Sequence, residues 1–97
     1  MNILITSANS AAAHQLKNKL NADNIILGDY LDLPGFMVQS GKMMQLPNPA
    51  SGSYNHEMLT LCLDKNIEEI YPLREEEAVL LKEAEQLFKE YNIEIYP

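Results

Sequence analysis

Apolar residues in this chain fall into short continuous runs that alternate with spaced stripes. Asn2-Ile3-Leu4-Ile5-Thr6 is an aliphatic and β-branched run, the pattern of a strand buried on both faces and so central in a parallel sheet. Small polar residues follow, Ser7-Ala8-Asn9-Ser10, and Asn9 or Ser10 is suited to cap a helix over about 10–20, where Ala12, Leu16 and Leu20 recur every four residues. Asn21-Ala22-Asp23-Asn24 ends that helix, and Ile25-Ile26-Leu27 reads as a second strand closing at Gly28-Asp29. Leu33-Pro34-Gly35-Phe36 carries proline and glycine where a type II turn prefers them. Met43-Met44-Gln45-Leu46-Pro47 reads as a short third strand, and 47–53 as a loop. A helix is expected over about 54–65 with Met58, Leu59, Cys62 and Leu63 inward, then a strand from Ile67 to Tyr71 that Pro72 stops. A longer helix over about 75–90 presents Leu80, Ala84, Leu87 and Tyr91 as an apolar stripe. Ile93-Glu94-Ile95-Tyr96 is the last strand.

Strands that alternate with helices specify an α/β fold. The expected architecture is a small Rossmann-like, mostly parallel sheet of four or five strands, with right-handed crossovers placing helices on both faces. No repeat, low-complexity segment or linker divides the 97 residues, so the whole of 1–97 reads as one domain.

Composition narrows the function classes. The net charge is −7, and all of it lies in residues 51–97, where eleven acids face four cations. Nucleic-acid binding needs a basic patch, and none is visible. No apolar run reaches the roughly 18–20 residues of a membrane span. The start lacks the basic and long apolar regions of a signal peptide, and the single cysteine, Cys62, cannot form an internal disulfide. Together these lead us to expect a cytoplasmic protein without nucleic-acid or membrane partners.

In open α/β sheets ligands bind beyond the carboxyl ends of the strands, where the strand order switches. Three segments map there: Ser7 to Ser10, Gly28 to Asp32, and Pro72 to Glu77. Ser7, Ser10 and Ala13 have the spacing of a dinucleotide loop with every glycine replaced, and Asp29 lies 22 residues after Ser7, near the place of a ribose-binding acid. Loss of the glycines removes the close backbone approach that pyrophosphate needs. A helix N-terminus at Asn9-Ser10 still leaves weak anion binding open. Glu75, Glu76 and Glu77 open a helix, where acids complement the dipole, or else turn one or two carboxylates toward the ligand edge. Arg74 beside them is placed to clamp an anion or to pair with them. His14 and His56 stand apart, Cys62 reads as a buried thiol, Met37, Met43 and Met44 as packing, and no nucleophile–base pair or metal-ligand set is evident.

The order of these elements, with several local strings, resembles the N-terminal (pre-ATP-grasp) domain of ATP-grasp carboxylate–amine ligases, above all carbamoyl-phosphate-synthase-like proteins. The matching strings are Ile3-Leu4-Ile5-Thr6-Ser7-Ala8, Asp29 at the end of the second strand, Lys42 to Pro47, Ile67 to Leu73, the acids Glu75 and Glu77, and Asn92 to Ile95. The resemblance covers nearly the whole chain. It departs at Asn9, Ser10 and Ala11, where the family often has glycine and arginines; at Gly41, where an acid is common; and at Arg74, where an apolar residue is usual. The resemblance implies a substrate-side scaffold domain, as a fragment or a free-standing remnant, that has no activity alone. It implies no cofactor in this chain, ATP and Mg2+ entering only if an ATP-grasp domain follows or a partner supplies one. Partners are then ATP-grasp lobes in cis or trans, or a second copy in a homodimer. Ser7, Ala8, Asn9, Ser10, Asp29, Arg74, Glu75 and Glu77 are the candidate ligand-binding residues, with no catalytic or metal residue. Two alternatives stay open: a self-associating or protein-interaction module pairing through the segment Ile93 to Pro97, and a small nucleotide-binding Rossmann-like protein using Ser7 to Ser10 and Asp29.

Overall fold

The computed structural model describes residues 2–20, 22 and 24–96. Ten elements follow one another: β1 (Asn2–Ile5), α1 (Ala11–Lys19), β2 (Asn24–Asp29), α2 (Gly35–Gln39), β3 (Met43–Gln45), α3 (Tyr54–Asp64), β4 (Ile67–Tyr71), α4 (Glu75–Glu83), α5 (Glu85–Glu90) and β5 (Glu94–Ile95). The five strands form one sheet in the order β3-β2-β1-β4-β5, with every pair parallel. The chain fills the sheet outward from β1 in one direction, then returns to β4 on its other side. The strand order therefore reverses between β1 and β4, which puts the ligand-type crevice at the loops that leave those two strands.

β1 is central and divides the core. Leu4 faces α3, α4 and α5 in a cluster with Tyr54, Met58, Cys62, Ile70, Leu81, Phe88 and Ile95. Ile3 and Ile5 face the other way, with Ala8, Ala13 and Leu27 under α1. Two-sided burial explains why this strand shows no polar alternation. Cys62 is fully buried, and burial pushes its thiol up to about 12.

Several expectations shift. Leu33 to Phe36 is not a simple turn: Pro34 leads into the helical turn α2, where its carbonyl accepts from the Met37 and Val38 N–H groups. Proline suits this place because its fixed φ starts a helix and its missing N–H is not needed there. On α1 the buried residue is Ala13, whereas Ala12 is exposed. On α3, Leu63 is exposed while Tyr54 is buried. The helix expected over 75–90 breaks at Ala84, whose N–H turns to Leu81 and whose carbonyl serves Phe88. The break rotates the second segment. The inward residues are Glu77 and Leu81 on α4 and Phe88 on α5, with Leu80 and Ala84 half-buried and Leu87 and Tyr91 exposed. The last strand, β5, is only Glu94–Ile95, a two-residue edge strand whose Ile95 side chain turns into the core. Pro97, and Asn21 and Asp23 at the end of the first helix, lie outside the described residues.

Candidate functional site

Hydrogen bonds from the two loops at the strand-order reversal tie them to each other. Thr6, fully buried, accepts the Leu73 N–H at 2.8 Å on its hydroxyl, and its own N–H donates to the Tyr71 carbonyl. Ser7 adopts a left-handed backbone with φ 58, which turns the chain sharply out of β1. Ala8 is buried and its N–H donates to the Gly28 carbonyl. Ser10 caps α1: its Oγ accepts from the Ala13 N–H at 3.1 Å and donates to the Ser7 carbonyl at 2.8 Å. Asn9 is exposed. Gly28 is required for a different reason than a ligand, since a Cβ there would meet the Leu46 side chain at 2.9 Å.

The charged centre lies at the ends of β2 and β4. Asp29 is 1% exposed at the end of β2, and its Oδ1 accepts from the Leu31 N–H and from Arg74 Nη2 at 2.9 Å. Arg74, at the N-terminal boundary of α4, also donates from Nε to Glu77 Oε1 at 3.3 Å. Glu77 is 0% exposed, and its second oxygen accepts from the Tyr54 hydroxyl at 3.0 Å. The guanidinium lies 4.7 Å from the centre of the Tyr30 ring, within the range of a cation–π contact. Gln45 Nε2 donates to the Asp29, Tyr30 and Leu31 carbonyls and fixes the β2 end.

Electrostatics follows from this arrangement. One guanidinium serves two buried carboxylates. Burial raises the Glu77 pKa, Asp29 adds to the rise, and the Tyr54 hydroxyl and Arg74 oppose it. Burial, followed by the Glu77 charge, pushes the Tyr54 phenol far up, so it stays a donor at every ordinary pH. Beside the network lies a shallow cavity of about 200 Å³ lined by Tyr30, Asn48, Pro49, Ala50 and Glu76.

Of the eight candidate residues, Asp29, Arg74 and Glu77 come together in one network, and Ser7, Ala8 and Ser10 form the adjoining loop. Glu75 is exposed and does not join them. Of the two roles open to Arg74, the structure shows pairing with Asp29 and Glu77. Tyr54, Tyr30, Thr6 and Gln45 belong to the same region without having been singled out. Their only sequence mark is position at an element boundary. Ser10 Oγ takes an N–H of the first α1 turn, and the two neighbouring carboxylates are bridged by Arg74.

A family model described as "PylC-like, N-terminal domain" matches residues 3–96. The chain belongs to this family. It is therefore a pre-ATP-grasp domain of the kind found in ATP-grasp ligases, and the five-stranded parallel sheet agrees with that fold. A comparison with curated proteins finds no match. No helix among the described residues of this pre-ATP-grasp domain is long and apolar enough to cross a membrane.

Proposed function

We propose that this domain is the substrate-side scaffold of an ATP-grasp carboxylate–amine ligase-type protein and has no catalytic activity alone. The observation that carries the reading is the Asp29–Arg74–Glu77–Tyr54 network at the strand-order reversal of a pre-ATP-grasp fold. Three loops from distant parts of the chain are clamped there by buried charge and hydrogen bonds, so they form a rigid rim against which ATP-binding lobes, in cis or in trans, close on substrate. Ser7, Ala8, Asn9, Ser10 and Asp29 would border that substrate from the rim, while ATP, Mg2+ and the residues that hold them would belong to the lobes. The carbamoyl-phosphate-synthase-like likeness and a cytoplasmic setting are parts of the same reading.

Two measurements test it. The intact mass of the protein made in its source cells should be near 11.0 kDa if the domain meets its lobes in trans, and several times larger if they are in cis. The 97-residue chain with millimolar MgATP should show no hydrolysis and no rise in melting temperature. A ligand that binds the native state raises its stability; a rise of several degrees with MgATP would replace the scaffold reading by the nucleotide-binding one.

A further inference from the structure

The sheet face under α1 is only half covered. β1 and β2 give that face Ile3, Ile5 and Leu27, which pack with Ala13 of α1. Register carries the same face across to the other edge: Ile3 lies beside Glu69, Ile5 beside Tyr71, and Glu69 beside Glu94. The alternate residues Ile70 and Ile95 point into the opposite core. Tyr96 stacks on Tyr71 with ring centres 4.9 Å apart and planes 14° apart. Glu94 and Tyr96 are exposed, and Glu69 and Tyr71 are half-buried.

Two features of this half-face are unfavourable in an isolated domain. Parallel sheets are normally covered on both sides, and like charges directly opposite each other on neighbouring strands destabilise the pair. Among the described residues neither Glu69 nor Glu94 takes part in an ion pair. We propose that this half-face is the docking surface for a helix of a partner protein that presents an arginine from within an apolar stripe.

Each part of that helix has a counterpart here. The planar guanidinium suits two adjacent carboxylates and also stacks on aromatic faces. The stacked Tyr71 and Tyr96 rings offer such a face beside the carboxylates, and the apolar stripe packs on the ring carbons of exposed Tyr96 and half-buried Tyr71, beside the already buried Ile3 and Ile5. The field of the surface agrees: the Tyr71 pKa is raised by burial and by Glu69, and that of Tyr96 by Glu69, by burial and by Glu94. A second copy of this chain is the wrong occupant. A two-fold interface would bring the same two glutamates into one contact between molecules of net charge −7. The inference does not rest on the ligase reading, because it uses only the half-covered face and its charge.

The test uses the 15N-labelled full chain and two helical peptides of about four turns, identical except for arginine or glutamine at the centre of a leucine face. The arginine peptide should shift the amide signals of residues 69–71 and 94–96. The glutamine peptide should bind about tenfold more weakly, and added salt should narrow that gap, since exposed charges are screened. The E69Q/E94Q double variant should melt no lower than the parent and should lose the preference for arginine. Equal binding of both peptides, shifts confined to other residues, no shift at millimolar peptide, a salt-independent preference, or an unchanged preference in the double variant would each overturn the proposal. So would a doubling of mass without peptide that involves residues 94–96, which would make a second copy the occupant.

Discussion

Arg74 ties together two buried carboxylates from distant parts of the chain. Asp29 and Glu77 are 1% and 0% exposed, and both depend on its guanidinium, which is itself 23% exposed. Breaking a buried pair from one side leaves uncompensated charge and costs roughly 3–5 kcal/mol. Arg74→Met should fall near the lower end of that range, about 3 kcal/mol, because water reaches the guanidinium; urea unfolding at neutral pH measures it. Glu77 makes a prediction of opposite character. Its native pKa is raised, chiefly by burial, so the native state keeps a proton that the unfolded chain has lost. Between the ordinary glutamate value and the raised one, the Glu77 contribution to stability falls as pH rises. The stability of the parent relative to Glu77→Gln should therefore be greatest at low pH, below about 4, and should decline as pH rises through that window. A difference that does not change with pH would show that burial does not raise this carboxyl.

At the scale of elements, asparagines end two of the helices in the same way. Asn66 and Asn92 take left-handed backbones with φ 56 and φ 62. After α5, Asn92 donates to the Lys89 carbonyl and Ile93 to the Phe88 carbonyl, the paired bonds of a Schellman ending. Asn92→Val would force a β-branched residue into that conformation and should cost about 1–2 kcal/mol, whereas Asn92→Gly should be close to neutral; thermal unfolding of the two variants checks the contrast. These endings also show what the sequence made legible. The run Asn2 to Thr6 announced its strand because two-sided burial leaves a nearly continuous apolar string, whereas Ile67 to Tyr71, with Glu68 exposed and Glu69 half-buried, was marked by its β-branched residues and by the stop at Pro72. The break at Ala84 was invisible, since alanine is the best helix former and only packing turns Phe88 inward there. The site divided along the same line. Asp29 and Glu77 could be placed on the ligand edge from strand and helix boundaries, but their link through Arg74 to Tyr54 joins residues 45 and 23 positions apart in the chain. No local pattern encodes such a link.

For the whole molecule, the strand order fixes how stability is distributed. β1 is paired on both sides and buried on both faces, whereas β5 is a two-residue edge. Amide exchange should therefore be slowest at Leu4 and Ile5, approaching the free energy of global unfolding, and much faster at Glu94 and Ile95. Hydrogen exchange followed by NMR on the 97-residue chain measures both. Comparable protection at the centre of the sheet and at this edge would mean that β5 is held by more than its own pairing.

Cys62 gives the domain a built-in clock. Its sulfur is fully enclosed and its thiol is pushed up to about 12, while only the thiolate reacts readily. At neutral pH an alkylating reagent must wait for the α3 layer to come apart. The rate of covalent labelling then counts those openings one molecule at a time. Because it is the sole cysteine of the chain, each adduct records a single event at a single place, and any partner that settles on the sheet will be heard as a slowing of that clock.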